Sequence, residues 1–202
     1  MAAQPQGGPL AVFQGDRFLA RKKIFKLLGN AFHIYNPSGN LEFYVEQKAF
    51  KLKEAITVYR SEAKQEPALL IQARSVMDFS GIYDVTTPDG QTVGALKREG
   101  LKSMLRDEWT ILDAGGQEIG KIMEDSMLKA MLRRFLSNLI PESFTVTIGG
   151  QEVADFDQHF NPFVAKYDID FSKDTEHVLD RRLGIAAVVM LLAIEGRQSQ
   201  YD

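Results

Sequence analysis

RRLGIAAVVMLLAIEGRQ, residues 181–198, decides the fold. Its apolar run, Leu183 to Ile194, is the longest in the chain, and charges bound it closely on both sides. As a helix the run spans about 18 Å at 1.5 Å per residue. A bilayer core about 30 Å thick needs about 20 apolar residues. Arg181 and Arg182 stop the run upstream, Glu195 and Arg197 downstream, and snorkelling arginines recover only part of the deficit. No face of the helix is polar, so it belongs where it is enclosed on every side. Leu183, Ile185, Val188, Val189, Leu191 and Leu192 supply the bulk. Gly184, Ala186, Ala187 and Ala193 are small enough to let surrounding backbone approach. The simplest solution is a barrel of hairpins with this helix, about 180–195, threaded through it.

The rest of the chain supplies hairpins. Four turn clusters recur: Asn36-Pro37-Ser38-Gly39-Asn40, Thr87-Pro88-Asp89-Gly90-Gln91, Asp113-Ala114-Gly115-Gly116-Gln117 and Ile148-Gly149-Gly150-Gln151. Each follows a strand-like run (AFHIY, SGIYDVT, EWTILD, SFTVTI) and precedes one that alternates or nearly alternates (LEFYVEQK, TVGALKRE, EIGKIMED, EVADFDQ). Ala55–Tyr59, Ala68–Arg74 and Phe163–Asp170 read as further strands. Four hairpins in series form a meander, which closes into a barrel or packs as a sandwich. One segment outside the C-terminal helix breaks the pattern. MLKAMLRRFL, from Met127 to Leu136, puts its Met, Leu and Phe residues on one helical half and Lys129 and Arg133 on the other, with Arg134 at the margin. Trp109 and the run Leu101 to Leu105 read as core, and Asn161-Pro162-Phe163 as a turn into the last strand.

The chain has 202 residues, 45% apolar and 25% charged, which is ordinary for a globular protein with one sizeable core. Its formal net charge of -3 gives no global basic excess, so nucleic acid is not an expected partner and any anion-binding surface must be local. There is no cysteine, which excludes thiol chemistry, disulfides and cysteine-type zinc sites. MAAQPQGGPLAVFQGD does not read as a signal peptide, and residues 1–14 read as a loose tail. No composition shift divides the remainder, so residues 15–198 are expected to form one domain.

FHIYNPSGNLEFYVEQKAFKLKE, GLKSMLRDEWTILDAGGQEIGKI, FNPFVAKYDIDF and DRRLGIAAVVMLLAIEG together resemble the LURP-one-related family. That family is similar to the phospholipid scramblases and to the tubby C-terminal domain. The resemblance runs from about Phe25 to Gln198 and rests on order and texture, with no catalytic signature to carry over. It implies a mainly β fold, a closed antiparallel barrel of about twelve strands wrapped around the hydrophobic C-terminal helix.

Known signatures of enzyme chemistry are missing: no G-x-S-x-G, Walker loop, G-x-G-x-x-G or H-E-x-x-H occurs. His33, His159 and His177 lack metal-ligand spacing, and His33, in an alternating strand, reads as packed or surface rather than as a base. No catalytic residue and no cofactor is expected. Asp168, Asp170 and Asp174 form a weak calcium candidate, since scramblases carry a calcium-linked acidic segment before the terminal helix. The EF-hand pattern laid from Asp168 fails, with Lys173 where Gly is required and Leu179 where the bidentate Glu belongs. The simpler reading is a solvated acidic loop in which Asp174 or Thr175 caps a helix.

Two basic clusters remain. Arg21, Lys22, Lys23 and Lys26 interleave with Ile24 and Phe25, and the amphipathic segment adds Lys129, Arg133 and Arg134. Cations beside apolar groups suit an anionic membrane surface, at about 1 kcal/mol per charge. The tubby relatives bind phosphoinositides through cationic side chains, so the resemblance points the same way. The competing reading is structural: the lysines are the solvated face of the first strand, and the amphipathic helix plugs the barrel. The expectation is a non-enzymatic cytoplasmic module bound peripherally to anionic phospholipid or phosphoinositide headgroups. Two alternatives stay open, a scaffold for a protein partner without a lipid role and scramblase-like phospholipid transport.

Overall fold

Alternation of apolar and polar residues sends successive side chains to opposite faces of a strand, and here one of those faces is always buried. In the computed structural model, which describes residues 11–25, 29–47, 55–77, 80–98, 108–125, 141–159 and 166–198, the described residues form twelve strands and one long helix. The strands are β1 Arg17–Phe25, β2 Gly29–Tyr35, β3 Leu41–Gln47, β4 Ile56–Tyr59, β5 Pro67–Met77 and β6 Ser80–Thr86. They continue as β7 Thr92–Arg98, β8 Glu108–Leu112, β9 Glu118–Glu124, β10 Ser143–Ile148, β11 Gln151–Gln158 and β12 Lys166–Asp170. The helix, α1, is Arg181–Gln198. Each strand pairs antiparallel with its neighbour in the sequence, and β1 pairs with β12, which closes the barrel. Closure leaves no unpaired sheet edge.

The four hairpin clusters are the turns of β2–β3, β6–β7, β8–β9 and β10–β11. Three share one construction. The first residue's N–H donates to the fifth residue's carbonyl, and the fourth residue, a glycine, donates back to the first residue's carbonyl. The side chain of the first residue then accepts the fifth residue's N–H, through Asn36, Thr87 or Asp113. An oxygen-bearing side chain is therefore required at the first position, and positive φ at the fourth, as at Gly116 with φ 81°.

The inward residues fill the barrel with α1. Phe32 and Ile34 on β2, Phe43 and Val45 on β3, Phe144 and Val146 on β10, and Tyr167 and Ile169 on β12 are all buried. In α1 every residue from Ile185 to Ala193 is at most 3% exposed, and Leu183 is 1% exposed. The helix touches β2, β5 and β7, and its burial on every face shows that it is enclosed. At about 1.5–3 kcal/mol per buried Val, Leu or Ile side chain, this one element carries a large share of the hydrophobic driving force. Its length and hydropathy match that role, and no described helix is long and apolar enough to cross a membrane.

The small residues act as expected where the helix enters. A Cβ added to Gly184 would lie 2.6 Å from the Phe171 ring, so the glycine lets the helix and that ring approach. Phe171 packs edge-on against Phe18 and Phe156, and Phe18 and Phe13 both pack on Phe43, forming an aromatic belt at this end. Phe13 corrects the expected tail. Ala11–Gln14 is a 3-10 turn whose Val12 and Phe13 are buried, so the ordered barrel begins before residue 15. Trp109 is core, as its surroundings suggested. The amphipathic stretch 127–136, the run 101–105 and the corner 161–163 lie outside the described residues.

Candidate functional site

Strand β1 runs RFLARKKIF, and its pleat divides the first basic cluster. Phe18, Ala20 and Lys22 point into the barrel, and Arg17, Leu19 and Arg21 point out. Lys22 is 4% exposed, donates from Nζ to the Leu192 carbonyl of α1 at 3.3 Å, and lies over the Phe32 ring. This removes Lys22 from the headgroup cluster and equally from the solvated strand face. Its ammonium instead meets a carbonyl in the C-terminal half of the helix. Lys23 belongs to β1, but its side chain, with Lys26, Lys129, Arg133 and Arg134, lies outside the described residues.

Arg21 is exposed, with its guanidinium 5.2 Å from the centroid of the Tyr35 ring. It sits on the lip of a groove of about 440 Å³ that Arg17, Leu19, Tyr35, Asn36 and Asp168 also line. The ladder explains the shape. Leu19 pairs with Tyr35 on β2 and with Asp168 on β12, making a floor across three strands. Arg17 and Arg21 flank that floor, one step to either side. Arg17 is ion-paired with Asp170 at 3.1 Å. Arg21 stands directly opposite Lys166 on β12, and among the described residues neither cation is ion-paired. Like charges facing each other across a ladder repel, so an anion that bridged them would relieve a cost the fold already carries.

The family model for LURP-one-related proteins matches residues 41–192, well over half of the chain. The chain belongs to the LURP-one-related family. No match was found among curated proteins or among solved structures.

In this LURP-one-related barrel the three aspartates of the calcium candidate do not act together. Asp168 is exposed and lies 2.6 Å from His159 Nε2. Asp170 accepts the Ser172 N–H and pairs with Arg17. Asp174 is buried and accepts the N–H groups of Val178 and Leu179. It also binds Arg181 Nη1 at 2.6 Å. Burial pushes the Asp174 carboxyl up, but these hydrogen bonds and the guanidinium outweigh it and hold it below the usual carboxylate range. Among the described residues no group of three metal-ligating side chains converges. The helix cap is also displaced from the expected position. Asp180, not Asp174 or Thr175, caps α1, accepting the Arg182 N–H on its side chain and the Gly184 N–H on its carbonyl.

His33 points outward on β2 and is nonetheless 3% exposed. Tyr35 stacks beside it, Tyr44 meets it edge-on, and Glu62 reaches Nε2 at 2.6 Å from the β4–β5 loop. Of the two expected placements, packed or surface, it is the packed one. Arg17, Tyr35 and Lys166 escaped the sequence reading because what unites them with Arg21 is register between strands far apart in the chain. Runs of like residues point to clusters along a strand, whereas the groove is assembled across one.

Proposed function

We propose that this LURP-one-related barrel is a non-enzymatic cytoplasmic module that associates peripherally with anionic phospholipid or phosphoinositide headgroups. The observation that carries the reading is the opposed pair of exposed Arg21 and half-buried Lys166, unpaired among the described residues, beside a groove of headgroup dimensions. Family membership supports it through the tubby-like and scramblase-like resemblance, whose better-known members meet lipid. Binding follows from charge: the phosphate lies between the two cations, and Tyr35 holds Arg21 in place by about 0.5–1 kcal/mol. Scramblase-like transport by insertion of α1 is the less economical reading, because withdrawing the helix would empty the barrel.

Co-sedimentation with vesicles tests this. Binding to vesicles containing phosphatidylglycerol or a phosphoinositide, and not to neutral vesicles, is expected, weakened by added salt. Arg21→Ala and Lys166→Ala should each weaken it roughly fivefold, the equivalent of about 1 kcal/mol per charge. Lys22→Ala should leave the binding of folded protein unchanged. Equal binding to neutral and anionic vesicles, or none to either at low salt, would overturn the proposal, and the second result would favour a protein scaffold.

A further inference from the structure

The outer face at the edge of the groove carries a second charge pattern, of opposite sign. One step along β12 from Lys166, the outward residue is Asp168, which faces Asp157 of β11 directly across the ladder. Asp157 is exposed and takes no ion pair among the described residues. Asp168 has one oxygen against His159 and lines the groove. Two rows therefore lie side by side on the outer face, a cation row of Arg21 and Lys166 and an anion row of Asp168 and Asp157. Two residues of strand separate them, roughly 7 Å. Each row is like-charged across the ladder, where opposition costs stability. The rows do not neutralise each other either, since neither Arg21 nor Lys166 is ion-paired with Asp168 or Asp157.

A ligand bearing only a phosphate relieves the first row and is repelled by the second. A ligand bearing a phosphate and an ammonium on a short spacer relieves both. We infer that these two rows, at the edge of the groove, recognise the phosphate ester of a short amino alcohol, as in a serine or ethanolamine headgroup. The phosphate lies at Arg21 and Lys166, the ammonium at Asp168 and Asp157, and the spacer along β12 between the two rows. The inference rests on the headgroup reading above and narrows it to one class of headgroup.

The test compares vesicles of phosphatidylcholine carrying equal fractions of phosphatidylserine or phosphatidylglycerol, at one ionic strength. The two have the same net charge, and only the first has an ammonium. Phosphatidylserine vesicles should bind at least about fivefold more tightly, one ion pair's worth. Asp168→Asn with Asp157→Asn should erase that advantage and leave phosphatidylglycerol binding intact or stronger. Thermal melts of the variant establish that the barrel is folded. Equal binding to the two vesicles, or a serine preference that survives the double substitution, would overturn the inference while the headgroup reading stands. The soluble arm is O-phosphoserine titrated without vesicles and followed by amide chemical shifts. Shifts at Leu19, Tyr35 and Lys166 alongside vesicle binding would support a lipid headgroup. The same shifts without vesicle binding would keep the recognition chemistry, assign it to a free phosphate ester and overturn the membrane reading. Silence in both arms would overturn both.

Discussion

Arg21 and Lys22 are neighbours in the chain and lie on opposite sides of the barrel wall. A composition count treats them alike, yet the pleat sends one to solvent and the other to α1. Their replacements should therefore fail differently. Lys22→Ala should lower stability by about 1–3 kcal/mol, because a buried carbonyl loses a donor and the core loses the lysine stem. A urea midpoint reads this, and an unchanged midpoint would contradict the inward placement. Arg181 shows the same principle at the other end of the helix. It is 8% exposed, bound to Asp174 and Asp16, and its guanidinium lies over Phe171. Asp174→Asn should cost about 3 kcal/mol, since it leaves a buried cation short of its closest counter-charge. The pH sign follows from the depressed carboxyl. Its contribution is complete above the ordinary aspartate value of about 3.9 and is lost as pH falls through the lower folded value. The gap in midpoint between the two proteins should be widest near neutrality and shrink below about pH 4. A gap constant down to pH 3 would mean that Asp174 is not held as a carboxylate by Arg181.

At the scale of elements, α1 is where sequence and structure agree most closely, and the reason is physical. Twelve apolar residues between charges are too few for a bilayer and too uniform for a surface helix, which leaves enclosure. Gly184→Val should destabilise the barrel by about 1–3 kcal/mol, because its side chain must displace the Phe171 ring. A melt unchanged from wild type would show that the helix does not approach that ring. Ala187→Asp should yield no soluble, cooperatively melting protein, since Ala187 is 2% exposed and an aspartate there would be an unpaired buried charge. The hairpins were legible for an equally local reason. Each turn needs a glycine at positive φ, and in three of them an oxygen on the first residue, within five consecutive positions. The helix cap and the N-terminal boundary were less legible. Asp174 and Asp180 are both plausible caps by composition, and only the fold shows that one serves a buried arginine. Val12 and Phe13 sit among Gln, Pro and Gly, which hid their burial against the aromatic belt.

For the whole molecule, closure is the property that local patterns do not contain. That β1 meets β12 puts Arg21 opposite Lys166 and Leu19 opposite Asp168, residues about 150 positions apart. That seam brings Asp168 to the groove and Lys166 to its edge, so neither the basic run near residue 21 nor the acidic run near residue 170 revealed the arrangement alone. The same closure encloses α1 and leaves the outer face as the surface a membrane would meet. The apolar helix is thus the core of the barrel, and in the proposed function lipid is met from outside by charge. Amide hydrogen exchange of the full chain, free and bound to anionic vesicles, tests this most directly. Residues 183–193 should be among the slowest to exchange in both states, with any vesicle-induced protection confined to β1, β11, β12 and the β2–β3 turn. Rapid exchange in the helix of the free protein, or protection that it gains only on binding vesicles, would contradict the claim.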